Sequence, residues 1–130
     1  MDWVAGNIPP HSRFLILTGE TEAFADAVAE WFPVLSGSYG IATIQGYEWM
    51  PDQVFLKKLD EYYALQACMD KTSTCVDEWV LKEDHPFEYV FISRDGLSEN
   101  KNSLLISLEQ SGNYQLIHEE TDVYIFEKKP

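Results

Sequence analysis

At 130 residues and 15.0 kDa the chain has the size of one domain, long enough to bury roughly two thirds of its unfolded surface without metals or extra crosslinks. Its 22 acidic and 9 basic side chains give a net charge of −13, which excludes nucleic acid and anionic bilayer surfaces as partners, since both demand clustered Lys and Arg. Hydrophobic residues at 45% and aromatics at 14% exceed what a disordered segment carries, and no apolar run approaches the roughly eighteen residues of a membrane span.

In chain order, Asp2-Trp3-Val4-Ala5 suggests a short helical lead-in, stopped by Gly6-Asn7 and then by Pro9-Pro10, which cannot continue a helix. Phe14-Leu15-Ile16-Leu17 is a continuous apolar run of the kind covered on both faces, and Thr18-Gly19 ends it. Thr21 is placed to cap the next helix, with Glu22 in its first turn and Phe24, Ala27, Val28, Trp31 and Phe32 at helical spacing until Pro33. Residues 41–44 read as a buried strand. A longer helix follows from about Asp52, with Phe55, Leu56, Leu59, Tyr62, Tyr63 and Ala67 as an apolar stripe opposite Lys57, Lys58 and Asp60. Ser73 or Thr74 caps a further helix through Val76, Trp79 and Val80, closed by His85-Pro86.

Tyr89-Val90-Phe91-Ile92 is a third wholly apolar strand, and Leu104, Leu105 and Leu108 mark one more helix ending near Gly112. Helices between these three strands imply right-handed parallel crossovers. Tyr114-Gln115-Leu116-Ile117-His118 and Val123-Tyr124-Ile125-Phe126 flank Glu119-Glu120-Thr121-Asp122 and read as an antiparallel hairpin. The expected fold is a single α/β domain over residues 1–130: a three-layer, mostly parallel, Rossmann-like sheet with the C-terminal hairpin at its edge.

The motifs of the chain exclude more chemistry than they support. Thr18-Gly19-Glu20-Thr21-Glu22, where a phosphate loop would sit, has one glycine, no Lys and two carboxylates near a helix start, which repel phosphate. No nucleotide or other cofactor is expected. Gly37-Ser38-Tyr39-Gly40 is one residue short of a nucleophile elbow and precedes a strand where an elbow must follow one. His11, His85 and His118 lack paired spacing and a nearby Cys cluster, so they read as surface histidines and no metal site is expected.

If a binding site exists, the sequence places it at residues 30–49, which gather aromatics, glycines and polar groups around one short strand. Gln45, Tyr47, Glu48 and Trp49 leave its carboxyl end, where open α/β sheets hold their ligand crevices. Glu30 and Trp31 complete the candidate set. Glu30 and Glu48 have the chemistry of a glycosidic acid/base pair, against the simpler reading of two solvated acids among 22. Trp31, Trp49, Tyr39 and Tyr47 have the chemistry to stack on sugar or lipid, against the simpler reading that aromatics beside Pro and Gly pin a loop to the core. Cys68 and Cys75 would stand roughly 10 Å apart in one unbroken helix, beyond disulfide reach. A break in the intervening turn lets them face each other, and two reduced cysteines in a cytosolic protein are the alternative.

Several phrases resemble the soluble C-terminal domain of bacterial multi-pass membrane glycosyltransferases of the dolichyl-phosphate-mannose mannosyltransferase type. They are Asp2-Trp3-Val4 with Asn7-Ile8-Pro9-Pro10, then Glu30-Trp31-Phe32-Pro33 with Leu35-Ser36-Gly37, and Gln45-Gly46 before Glu48-Trp49. The closing Tyr114-Gln115-Leu116-Ile117 and Val123-Tyr124-Ile125-Phe126-Glu127 are similar to that domain's hairpin. None is a catalytic signature. The resemblance implies that residues 1–13 lead in from a preceding membrane segment, and that the catalytic acid lies in an early loop outside this chain. This domain then sits on the extracytoplasmic face, without catalysis of its own, covering the membrane-embedded site or positioning an acceptor. Its partners would be the membrane-embedded remainder of the parent chain and a glycan or polyprenyl-phosphate sugar. The alternative is a free-standing cytoplasmic α/β module that binds a ligand or protein at the crevice.

Overall fold

The computed structural model describes residues 2–18, 26–41, 51–83, 86–93, 103–120 and 122–129. Helix α1 (Asp2–Asn7) leads into strand β1 (Arg13–Leu17), followed by α2 (Ala27–Ser36) and β2 (Tyr39–Ile41). Then come α3 (Asp52–Gln66), a 3-10 segment (Ala67–Asp70), α4 (Ser73–Glu83) and β3 (Tyr89–Ser93). Helix α5 (Ser103–Gln110) and the strands β4 (Tyr114–Glu120) and β5 (Val123–Lys128) complete the chain. Among the described residues no helix is long and apolar enough to cross a membrane.

The five strands form one mixed sheet in the order β2-β1-β3-β5-β4. Successive side chains of a strand point to opposite faces, so the continuous apolar runs of β1 and β3 feed two cores. Phe14, Ile16 and Phe91 enter one with Val4 and Ile8 of the lead-in and Ala29 and Phe32 of α2. Leu15, Leu17, Val90 and Ile92 enter the other with Leu65, Met69, Val76, Trp79 and Leu104 from the remaining helices. Each fully buried Leu, Ile or Phe of these sets contributes about 1.5–3 kcal/mol of transfer free energy, so helices on both faces are what hold the sheet.

The sheet is not the mostly parallel one expected. Strand β1 pairs in parallel with β2 and β3 over three and four residue pairs. The antiparallel ladders of β3 with β5 and of β4 with β5 register five and six. The hairpin has this weight because its second strand docks on β3 and carries the first outward, so the tail adds two ladders.

Local departures have local causes. Strand β2 occupies Tyr39–Ile41, earlier than the apolar run suggested, and residues 42–44 of that run lie outside the described residues. Helix α2 begins after Asp26, whose carboxylate accepts from Ala29 N at 3.0 Å, so Asp26 and not Thr21 is its cap. Pro33 lacks the N–H that would bond the Ala29 carbonyl, yet the helix runs on to Ser36. Gly37 takes the left-handed conformation (φ 74°) that glycine accepts without strain and donates its N–H to the Pro33 carbonyl.

In α3 the buried residues are Glu61, Tyr62, Leu65 and Gln66, while Leu56 is 56% exposed. The helix packs by its C-terminal half, and Phe55, Leu59 and Tyr63 gather around Tyr62. After α3 the 3-10 segment tightens the chain and Lys71 turns extended (φ −124°). That break brings Cys68 and Cys75 to a Cα separation of 5.6 Å, where a disulfide joins them.

Candidate functional site

Helix α2 carries the chain from β1 to β2 beneath one face of the sheet, and α3 and α4 carry it from β2 to β3 beneath the other. The order therefore reverses direction between β1 and β3, and the crevice at the carboxyl ends of these two strands is where open α/β sheets receive ligands. Thr18 follows β1 there and Ser93 ends β3, exposed by only 8% and 6%.

Beneath this edge lies a buried polar network. Asp26, 2% exposed, accepts from Ala29 N through Oδ1 and from Thr18 Oγ1 (2.9 Å) and Tyr62 OH (2.6 Å) through Oδ2. Gln66 of α3 spans the other side, donating from Nε2 to the Ile16 carbonyl at 2.8 Å while its Oε1 accepts from Thr18 N at 2.8 Å. Among the described residues three neutral donors converge on this one carboxylate and stabilise its charge by hydrogen bonding. The arrangement ties the end of β1 to the start of α2 and the C-terminal half of α3. It forms a buried floor under the carboxyl ends of the strands.

The expected site residues divide. Gln45, Tyr47, Glu48 and Trp49 lie outside the described residues, as do all of 19–25, 42–50 and 94–102, the segments that leave the carboxyl ends of β1, β2 and β3. Glu30 and Trp31 occupy the first turns of α2, whose buried side is Ala29, Phe32 and Ser36. Both are exposed, Trp31 by 52%. Tyr39 is 54% exposed, so core packing does not account for either aromatic. Ser38, by contrast, is buried at the entry to β2, and its Oγ has no hydrogen-bond partner among the described residues. Of the histidines, His11 is exposed, His85 lies outside the described residues, and His118 stacks on Trp3 at 4.2 Å and bonds Glu120 at 2.7 Å.

Sequence reasoning missed Asp26, Tyr62 and Gln66. Asp26 carried a signal, an acid just before the periodic Ala29, Phe32 and Ser36. Tyr62 and Gln66 looked like one stripe residue and one polar residue.

The opposite edge carries two shallow hollows on either side of Lys128. One, of about 220 Å³, is lined by Asp77, Val80, Leu81, Phe87 and Lys128. The other, of about 290 Å³, is lined by Phe87, Glu88, Tyr89, Glu127, Lys128 and Lys129. The Lys128 ammonium stands 4.7 Å over the Phe87 ring. Burial and then its hydrogen bond to Asp77 push the Tyr114 phenol above its ordinary range. The Arg13 guanidinium, hydrogen-bonded to Glu88, holds that carboxyl below the usual range. Both hollows fall below the roughly 300 Å³ at which small-molecule pockets begin. Among the described residues no group of three or more His, Cys, Asp or Glu is gathered for a metal.

No known protein family, curated protein or solved structure matches this chain.

Proposed function

We propose that this chain is a non-catalytic extracytoplasmic accessory domain of a membrane glycosyltransferase that draws on polyprenyl-phosphate sugars, where it covers the membrane-embedded active site or positions the acceptor. The reading starts from the phrases around Trp3, Trp31 and the closing hairpin. The structural observation that supports it most is the Cys68–Cys75 bridge, because small domains with paired cysteines belong to oxidising compartments. The membrane-embedded remainder of the parent chain is the proposed partner, with a glycan or polyprenyl-phosphate sugar passing between them. In the same reading β2-β1-β3 is a Rossmann-like parallel unit between helical layers, to which the hairpin was added.

The test is the thiol state of the chain in its native cells. Unreduced protein, alkylated and weighed by mass spectrometry, should carry no alkyl group on Cys68 or Cys75. Two alkylated thiols would sink the extracytoplasmic reading. They would favour instead a cytoplasmic ligand- or protein-binding module, for which the firmly anchored carboxyl edge around Asp26 is the supporting observation.

A further inference from the structure

Phe87 and Lys128 line both of the hollows at the edge opposite the carboxyl ends of β1 and β3. Phe87 is 6% exposed and packs among the core residues, so its ring is a fixed apolar floor. The Lys128 backbone is fixed too, because its N–H donates to the Glu88 carbonyl at 2.9 Å. Its side chain is held less firmly: it is exposed, makes no ion pair among the described residues, and stands over the Phe87 ring. A cation–π contact at an exposed site is weak, so the side chain is free to leave the ring. Apart, each hollow is too small for a ligand. With Lys128 lifted from Phe87 the two join into one groove that passes the roughly 300 Å³ of small-molecule pockets.

The walls of this groove decide what it takes. Asp77, Val80 and Leu81 recur at i, i+3 and i+4 along α4 and so form one wall, on which Leu81 is 83% exposed. The Asp77 carboxylate there is already engaged by the Tyr114 hydroxyl at 2.8 Å. On the other side Glu88 is paired with Arg13 at 2.9 Å, which leaves Glu127 beside Lys128 and Lys129. Three of the nine basic residues, Arg13, Lys128 and Lys129, thus stand at this edge. A chain of net charge −13 repels an anion as a whole, and the gathered cations give one a place to approach.

We infer that this groove binds a small apolar carboxylate, linear or aryl. Its carboxylate takes the Lys128 ammonium, and its body replaces that ammonium against Phe87, Val80 and Leu81. The exchange gives up a cation–π contact and gains a charge-assisted hydrogen bond together with apolar burial. This site goes beyond the accessory role proposed above and holds in either compartment. A ligand as small as octanoate binds such a groove with Kd on the order of 1 mM.

NMR titration of the isotope-labelled chain with octanoate, and separately with phenylbutyrate, tests this. At least one of them should shift the amides of Val80, Leu81, Phe87 and Lys128, and more weakly in added NaCl. Which of the two binds more tightly tells a linear from an aryl ligand. K128A and L81E, both changed at exposed positions, should each weaken binding tenfold or more with the unfolding midpoint unchanged. K71A removes the same charge at the exposed turn before α4 and should bind as the parent does. Octylamine, of equal length and opposite charge, should bind at least tenfold more weakly than octanoate. The site is overturned if neither carboxylate shifts these amides at about ten times the expected Kd, or if the shifts centre on Trp31, Val34 and Leu35. It is overturned equally if K128A or L81E binds as the parent does, if K71A loses as much, or if octylamine matches octanoate, which would make Phe87 a seat for cations.

Discussion

Replacing Asp26 with Ala removes three acceptor contacts at once, and the structure lets the cost be worked out. The cap on α2 is lost, worth about 1 kcal/mol. Thr18 and Tyr62, 8% and 1% exposed, each lose a charged acceptor, at about 1.5 kcal/mol apiece. Removing the buried carboxylate also removes its desolvation cost, which returns about 1 kcal/mol. The net is about 3 kcal/mol, a large share of the 5–15 kcal/mol that holds a domain together. With an unfolding entropy of about 2.1 cal/mol/K per residue, the midpoint should fall by about 11 °C. Urea unfolding followed by circular dichroism measures the free energy, and Y62F completes a double-mutant cycle. Tyr62→Phe keeps the ring against Tyr63 and should cost about 1.5 kcal/mol alone and clearly less beside Asp26→Ala. A loss below about 1 kcal/mol for Asp26→Ala would mean that only the cap matters. Equal costs for Y62F in both backgrounds would show that the two side chains are not coupled, and either result refutes the network.

Cutting the Cys68–Cys75 bridge as C68A/C75A should cost about 2–3 kcal/mol by the loop-closure relation for so short a loop, read as a lower urea midpoint with an unchanged slope. The Glu83 carboxyl is held above its ordinary range by burial and then by its hydrogen bond to Glu61. Its folded value therefore exceeds its unfolded one, so its contribution is fully present below the unfolded value and is lost as pH rises through the folded one. E83Q should accordingly raise the thermal midpoint at pH 7, with the gain shrinking toward pH 4. A gain that is the same at both pH values would place its origin elsewhere than in ionisation.

Much of the layered arrangement was legible in the chain. Phe14-Leu15-Ile16-Leu17 and Tyr89-Val90-Phe91-Ile92 are apolar at every position because both faces of their strands are covered, and that pattern is local. The sheet's direction was not legible, because which strand of the hairpin docks on β3 depends on contacts such as Phe91 with Ile125, more than thirty residues apart. The stripe on α3 holds for Phe55, Leu59, Tyr62 and Tyr63 but not for Leu56 and Ala67, for a related reason. Periodicity marks a face without saying how far along the helix the neighbour extends, and here the covered part holds Glu61 and Gln66. Of the candidate site, Glu30 and Trp31 were placed on their helix correctly, but the floor built by Asp26, Tyr62 and Gln66 joins segments too distant for spacing to reveal.

The position of β5 between β3 and β4 bears on synthesis. Phe126 completes one core and Ile125 the other, yet both are made after all the other strands of the sheet. Until they emerge, β3 presents a bare edge and neither core is closed, so the growing polypeptide cannot finish in stages from its first residue onward. A chain truncated just before Ile125 should therefore be digested throughout by protease, where the chain that includes β5 resists.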